Sequence, residues 1–261
     1  MKKNNYRIES DSLGKVKVPK DALYGAQTQR AIDNFKISGI SFDPAFIQSL
    51  ANLKSACANA NLKCGVIPKI KASNISLIAK DIAKNTMDYM DHFPVDIFQT
   101  GSGTSTNMNM NEVVSNLAKR KYKKEIHPND DVNMSQSSND VIPTTINISS
   151  LTMSNSLSLS MSFLCDSLHK KSKSLSNIIK SGRTHLMDAV PISFEQELNV
   201  WEEQVRAAQS QIDLSCEEIS YLPIGGTAIG TGINAPKQFS KNVCSELNKI
   251  YSELKLKFKP L

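Results

Sequence analysis

Residues 144–181 read TTINISSLTMSNSLSLSMSFLCDSLHKKSKSLSNIIKS, and neither glycine nor proline interrupts them. Apolar residues recur along this stretch at alternating steps of four and three, with Lys171 as an interruption: Leu157, Met161, Leu164, Leu168, Leu175 and Ile178. This rhythm is the heptad repeat of a helix that packs along one apolar seam. The Ser-rich part, residues 149–162, keeps the apolar period, so a long continuous helix is predicted.

A second run without glycine or proline lies between Pro191 and Pro223 and repeats the rhythm. Its seam positions are Phe194, Leu198, Trp201, Val205, Ala208, Ile212, Ser215, Ile219 and Leu222. Two helices of this length imply an antiparallel bundle, but a single pair is too extended to shield both apolar stripes. Partner helices are therefore expected from other subunits.

Shorter elements are predicted before this bundle. Residues 1–40 have the pattern of a loop and short-strand entry segment, and Asp43 with Pro44 then marks a helix start. The predicted helices are 44–65, 68–90 and 105–121. A domain boundary is placed near residue 135, which gives an N-terminal domain of residues 1–135 and a helical-bundle domain of residues 136–261. The fold class is therefore predicted to be mainly α-helical.

Composition and charge exclude several classes of protein. With 261 residues, of which 40% are hydrophobic and 21% charged, the chain is long enough for a sizeable core. The net charge of +6 comes from lysines spread along the sequence, and aromatic residues make up only 6%. Nucleic acid is therefore not an expected partner. A mild attraction for small acidic metabolites fits the same charge.

Cysteine usage and the termini indicate the compartment. The five cysteines are widely spaced without CxxC or Cys/His ligand spacing, so free thiols are expected and a zinc site is not. Residues 1–10 lack an apolar signal core, and no apolar run is long enough to span a membrane. A cytoplasmic protein without a membrane partner is expected.

Three polar stretches crowd hydroxyl and amide side chains beside glycines, at residues 100–111, 127–139 and 181–185. The first offers only neutral donors, on a backbone that Gly101 and Gly103 can bend to positive φ. Several donors aimed at one point can hold a small dianion and stabilise charge that develops on it. A helix starting just after Ser102 and Gly103 would add its free N–H groups. The pattern favours a carboxylate-binding site over a capped loop.

The second stretch ends in Ser137, Ser138, Asn139 and Asp140, where the first long helix is predicted to begin. N-capping selects the same residue types, so capping explains part of this run. Capping needs only one such residue, and a ligand is the favoured explanation for the surplus.

Histidines supply the candidate acid–base groups. Thr184 and His185 lie between the two long helices, and an imidazole can hand a proton to a departing oxygen near neutral pH. A structural role for His185 remains the alternative, and His127, in a turn held by Pro128, competes for the catalytic role. His92 and His169 lie in predicted helices and are not assigned a function.

Six segments, in this order, resemble the motifs of class II fumarate hydratases in the fumarase/aspartase superfamily. They are GAQTQR at 25–30, QTGSGTSTNMNMNE at 99–112, HPNDDVN at 127–133, SQSSND at 135–140, GRTH at 182–185 and GGTAIGTG at 225–232. The resemblance covers the whole chain, and the choice of fumarase rests mainly on the first two segments. It implies a short-helix N-terminal domain followed by long helices of a central bundle. It also implies a homotetramer in which three subunits build each active site.

The resemblance implies reversible trans-addition of water to fumarate, giving L-malate through a carbanion stabilised as an aci-carboxylate, without a metal or other cofactor. By motif, the substrate carboxylates would be bound by Ser102, Gly103, Thr104, Ser137, Ser138, Asn139 and Thr184. His185 would position the water or act as the acid. A secondary dicarboxylate site would be formed by His127, Asn129, Asp130 and Asp131.

One departure from the family pattern affects the expected activity. The family's signature loop carries the base serine and a carboxylate-binding lysine, and the chain ends at Leu261 without it. The chain is expected to hold roughly the N-terminal half of the family sequence, with an incomplete bundle domain and little or no activity by itself. Aspartate ammonia-lyase on the same scaffold is one alternative. A non-catalytic helical oligomerisation fragment is another.

Overall fold

The computed structural model describes residues 5–261, so the first four residues of the N-terminal segment lie outside it. Helices dominate the described chain: α1 Ala26–Asn34, α2 Pro44–Lys63, α3 Lys69–Lys84, α4 Thr86–Tyr89, α5 Thr104–Tyr122, α6 Ser138–Ser174, α7 Phe194–Ile219 and α8 Phe239–Ile250. The predicted mainly α-helical fold class is confirmed. None of the described helices is both long enough and apolar enough to cross a membrane.

The strands are short and pair in twos. Two antiparallel hairpins are formed by β1 Tyr6–Asp11 with β2 Gly14–Pro19, and by β3 Ile179–Thr184 with β4 Met187–Ser193. A parallel pair joins β5 Tyr221–Leu222 to β6 Lys259–Pro260.

The chain divides into two compact units. The first comprises the chain up to Ser149 together with Ser220–Leu261, and the second comprises Ser150–Ile219. In the first unit α2 packs against α3 and α8. Leu50, Leu53, Ile75, Ile78 and Phe239 are among its fully buried side chains. The boundary that the sequence places near residue 135 is not tested by this division and stays a prediction.

A local capping signal located the start of α2 correctly. Asp43 Oδ1 accepts a hydrogen bond from the backbone N–H of Ala45 at 2.8 Å, and Pro44 occupies the first helical position of α2. Such a cap satisfies an N–H group that has no partner inside the helix. The start and end of α5 each lie one residue outside the predicted range.

The helix predicted over residues 68–90 was wrong in about its last quarter. It stops at Lys84, and Asn85, with φ −116° and ψ 38°, separates α3 from α4. The Asn85 side chain donates to Asp81 Oδ1 at 2.9 Å. An asparagine that bonds locally in this way competes with the helical backbone for partners.

The entry segment predicted for residues 1–40 was incomplete, because it contains helix α1. The Glu112 carboxylate, on α5, caps this helix by accepting the backbone N–H groups of Gly25, Gln27 and Thr28 at 2.8, 2.9 and 3.1 Å. Glu112 is only 7% exposed. A cap supplied by a residue so far along the chain leaves no local signal in the sequence.

In the second unit α6 and α7 run antiparallel. Gln209 Nε2 donates to the carbonyl of Ser158 at 3.0 Å and to its hydroxyl at 2.8 Å. Near the other end of the pair, Lys173 Nζ lies 3.0 Å from Glu195 Oε1. The α6 residue of the second contact lies later in the sequence than that of the first, whereas its α7 partner lies earlier. The two helices are therefore antiparallel.

The apolar seam of α6 faces away from α7. Leu151, Cys165 and Ser172 are buried, whereas Leu157 and Leu164 of the predicted seam are 48% and 49% exposed. A single helix pair therefore leaves this stripe open, as the sequence predicted.

We expect Glu112→Ala to lower the free energy of unfolding by about 2 kcal/mol or more, because three N–H groups at the start of α1, two of them buried, lose their carboxylate acceptor. Urea denaturation followed by circular dichroism measures this. Glu125→Ala is the matched control, since Glu125 is exposed, and it should stay within about 0.5 kcal/mol of the unsubstituted chain. Equal values for the two variants would contradict the cap.

Candidate functional site

The loop before α5 carries the first group of predicted site residues. Gly103 is the N-cap of α5 and adopts φ +66° in the left-handed region. The hydroxyls of Ser102 and Thr104 lie 2.8 Å apart, and Gly103 N–H donates to the carbonyl of Thr100 at 2.9 Å. Gly101 does not adopt a positive φ, so only one of the two glycines bends the backbone as predicted.

Asp96 anchors the stem of this loop. Its carboxylate accepts the backbone N–H groups of Ser38, Gly39 and Phe98 at 2.7 to 2.8 Å, together with the hydroxyl of Ser38. Burial of the carboxylate opposes its charge, but these hydrogen bonds outweigh it and lower the pKa of Asp96 to about 2. Asp96 is therefore charged at neutral pH and ties the loop to the segment before α2.

The first turn of α6 carries the second group. Ser137 N–H donates to Asp140 Oδ1 at 2.9 Å, and Ser137 Oγ accepts the Asn139 N–H at 3.3 Å, which is a reciprocal cap. Ser138 Oγ accepts a hydrogen bond from Asn107 at 3.0 Å, and Asn139 Nδ2 donates to the carbonyl of Ala228 at 2.7 Å. Protein partners thus account for more of this polar run than composition indicated. The hydroxyls of Ser137 and Ser138 each accept a bond, and each keeps an O–H to donate.

Three segments come together around this turn. An ideal Cβ on Gly103 would lie 2.9 Å from Ile142 Cγ1 on α6, so the loop before α5 packs directly against α6. Asp140 Oδ2 accepts the backbone N–H groups of Gly225 and Thr227 at 3.0 and 2.8 Å, which brings in the glycine-rich loop before α8. A helix N-terminus surrounded by hydroxyl and amide donors is suited to an anion.

The predicted secondary site forms a π-helical turn, Pro128–Val132. His127 Nδ1 accepts the Asp130 N–H at 3.0 Å and lies 3.1 Å from the Asp130 carboxylate, with both side chains exposed. Asp131 differs, because its buried carboxylate accepts the His127 N–H at 2.8 Å and pairs with Lys71 at 2.8 Å. Asp131 therefore fixes the turn, while Asn129 is exposed.

Thr184 and His185 belong to the second unit. Thr184 ends β3, and His185 and Leu186 form the two-residue turn to β4 with φ +49° and +62°. Positive φ at both positions is the type I′ turn of tight hairpins. The predicted break between the long helices is thus a β-hairpin, and His185 is exposed at its tip.

All five cysteines are free: Cys57, Cys64, Cys165, Cys216 and Cys244. Within residues 5–261, no group of three or more His, Cys, Asp or Glu side chains is arranged to hold a metal ion.

The sequence profile of a family described as lyase matches residues 14–259. The chain belongs to this lyase family. It is 48% identical over 248 residues to a class II fumarate hydratase of Xylella fastidiosa, which covers 95% of this chain and 52% of that protein. A class II fumarate hydratase of Mycobacterium tuberculosis is 46% identical over 244 residues. This lyase chain spans about half the length of the curated relatives it matches.

Solved lyase structures share the fold. A class II fumarase from Schistosoma mansoni superposes with a TM-score of 0.90 at 36% identity, covering 98% of this chain and 57% of that one. A fumarate lyase:delta crystallin from Brucella melitensis, in a structure bound to cobalt, gives 0.89 at 38% identity over 97% and 56%. The fumarase/aspartase-like fold expected from the sequence is confirmed.

We expect Gly103→Ala to destabilise the chain by about 1–2 kcal/mol from the left-handed backbone alone, and further because Ile142 must move. Gly101→Ala is a matched control two residues away, where nothing lies within 4 Å of an added Cβ. Its effect should stay within about 0.5 kcal/mol. Urea denaturation of both variants tests the packing of this loop on α6, and a neutral Gly103→Ala would refute it.

Proposed function

We propose that this chain serves the reversible hydration of fumarate to L-malate, as part of a class II fumarate hydratase. The observation that carries the proposal is the meeting of three hydroxyl- and amide-bearing segments around the first turn of α6. A dicarboxylate suits this position, because helix N–H groups and hydroxyl donors both favour negative charge. The names of the curated relatives point to the same substrate class.

The proposed roles follow the motifs. Substrate carboxylates are bound by Ser102, Gly103, Thr104, Ser137, Ser138, Asn139 and Thr184. His185 positions the water or acts as the acid. Because the family builds each site from three subunits, Thr184 and His185 are proposed to act in a site that other copies of the chain complete.

Several donors are needed on energetic grounds. In the direction from L-malate, removal of the proton next to a carboxylate places extra negative charge on that carboxylate, giving the aci-carboxylate form. Enzymes lower such barriers by about 8–23 kcal/mol, and one oriented donor supplies about 2.7–4 kcal/mol. The hydroxyls of Ser102, Thr104 and Ser138 together with helix N–H groups provide donors of the right kind.

A secondary dicarboxylate site is proposed at the π-helical turn. His127, Asn129 and Asp130 supply its outward-facing groups, and Asp131 holds their backbone through Lys71.

A homotetramer is also proposed. The open stripe on α6, with Leu157 and Leu164 about half exposed and Phe163 at 72%, supports packing against helices of other copies. The free thiols support a reducing, cytoplasmic location.

The proposed activity is tested by adding L-malate and following the absorbance of fumarate. None of the residues assigned above is the base that removes the malate proton, so we expect little or no fumarate absorbance to develop when L-malate is added to this chain. Robust turnover would overturn that expectation, and ammonia release from L-aspartate would redirect the assignment to an aspartate ammonia-lyase.

Substrate binding is measured separately by calorimetry with L-malate. Ser138→Ala should weaken binding about tenfold through the loss of one hydrogen bond to a charged ligand. The matched control is Ser156→Ala, since Ser156 is an exposed serine of the same helix. Equal affinities for the two variants would remove Ser138 from the site.

Association is tested by measuring the mass of the assembly by light scattering. Leu164→Asp puts a charge into the open stripe of α6 and should lower the measured mass. Asn155→Asp adds the same charge at another exposed position of α6 and should leave the mass unchanged. An unaltered mass for Leu164→Asp would show that this stripe is not the interface.

A further inference from the structure

Lys54 on α2 is a fully buried lysine close to the proposed site. Its side chain is 0% exposed, and its Nζ donates to Asn133 Oδ1 at 3.0 Å and to Gln136 Oε1 at 2.9 Å. Both partners are neutral amides, and no carboxylate lies within ion-pair distance of it in the described chain. A buried cation with only neutral partners is costly, so its presence calls for a reason beyond stability.

The amides that Lys54 contacts lead directly to Ser138. Asn133 Oδ1, which accepts from Lys54, also accepts from Asn107 Nδ2 at 3.1 Å. The same Asn107 Nδ2 donates to Ser138 Oγ at 3.0 Å. A continuous line of hydrogen bonds therefore runs from the amine on α2, through two asparagines, to a hydroxyl at the start of α6.

The amine favours one direction for the bonds in this line. A lysine offers donors only, so the oxygens of Asn133 and Gln136 must face it. Two weaker contacts favour the same Asn133 orientation, since Asn133 Oδ1 accepts from Asn111 at 3.4 Å and Asn133 Nδ2 donates to the carbonyl of Gln136 at 3.3 Å. An Asn133 amide turned by 180° would present its NH₂ group to the NH₂ group of Asn107. Asn107 would then lose its acceptor and its fixed orientation toward Ser138. The Gln136 amide, held by Lys54, also donates to the carbonyls of Val132 and Met134 at 3.0 Å, which fixes the turn itself.

We propose that Lys54 is a positioning residue that orients Ser138 through Asn133 and Asn107, and so prepares the hydroxyl for a substrate carboxylate. This inference rests on the proposed function in one respect, namely that Ser138 binds the substrate. The orientation of the amides by Lys54 stands independently of it.

The surroundings of Lys54 change the pKa of its amine. Burial lowers the pKa of its amine to about 7, and the ionisable groups that act against this are Cys57 on the same helix and Asp140 on α6. Loss of the proton removes one donor and the positive charge, so the bonds to Asn133 and Gln136 weaken as pH rises through this range.

The test uses the whole chain and two lysine variants of α2. Lys54→Met keeps an unbranched, apolar side chain of similar length but removes the donor, whereas Lys63→Met removes an equal charge whose partner is Glu246 at 2.7 Å. Nuclear magnetic resonance follows the side-chain amide of Asn107 and the backbone amide of Ser138. Calorimetry with succinate measures dicarboxylate binding.

We expect Lys54→Met to shift both resonances and to weaken succinate binding about tenfold, while Lys63→Met changes neither. Lys54→Gln, which restores a donor, should recover part of the loss. Resonances of Asn107 and Ser138 that stay at their original positions in Lys54→Met would overturn the proposal. So would unchanged succinate affinity.

Two further outcomes are also decisive. If Lys54→Met does not fold, a pH titration of the unsubstituted chain replaces it. The Asn107 and Ser138 resonances should then move with the same midpoint as the Lys54 side chain, and independent behaviour would overturn the proposal. If the unsubstituted chain binds no succinate, the proposal that this chain binds dicarboxylates is refuted. The shifts of the Asn107 and Ser138 resonances in Lys54→Met then test the role of Lys54.

Discussion

The buried carboxylate of Asp140 ties the start of α6 to the glycine-rich loop before α8. One oxygen accepts the Ser137 N–H at 2.9 Å, and the other accepts the N–H groups of Gly225 and Thr227 at 3.0 and 2.8 Å. Both loop residues have positive φ, +93° and +58°, which for threonine is an unfavourable backbone. Since a buried charge without partners is costly, either segment can move only by breaking these bonds. Asp140 thereby keeps the polar segments of the site in register.

The Asp140 carboxyl group and the Lys54 amine are not hydrogen-bonded to each other. The turn of Asn133 and Gln136 contacts the amine directly, and Asp140 acts on the pKa of Lys54 across the intervening amides. Side-chain amides can transmit orientation in such an arrangement because each has one accepting end and one donating end. A neutral hydroxyl such as that of Ser138 can then be oriented by a lysine that it does not contact.

The sequence predicted elements of this structure correctly where a residue and its hydrogen-bond partner lie close together in the sequence. The starts of α2 and α6 were located because Asp43 and Ser137 act within a few residues of themselves. Helix α1 was missed because its cap is Glu112. The break at Asn85 was missed because it involves a side-chain hydrogen bond to Asp81, which competes with the backbone hydrogen bonds of the helix.

The candidate site shows the same limit. Its polar stretches were recognisable as donors, but composition could not tell which donors already had protein acceptors, as Asn139 Nδ2 has in the carbonyl of Ala228. Lys54 gave no signal, because a lysine in a helical pattern is normally exposed. Its burial is set by Asn133 and Gln136, which lie far along the chain. Long-range partners of this kind follow from the tertiary fold and not from periodicity.

Helix α6 carries two seven-residue patterns, and only one of them packs against another helix of the chain. Leu151, Ser158, Cys165 and Ser172 form the inner face, and their mostly small side chains let α7 approach closely. The outer face carries the larger apolar residues, and a monomer gains nothing from them because they stay in water. If copies of the chain associate through that face, the hydrophobic free energy encoded in it is released on association, and the stability of the second unit then depends on protein concentration. The hairpin with Thr184 and His185 belongs to the same unit. If those residues act in a site completed by other copies, assembly of the bundle and assembly of the site are one event, and a substitution that weakens the first must weaken the second.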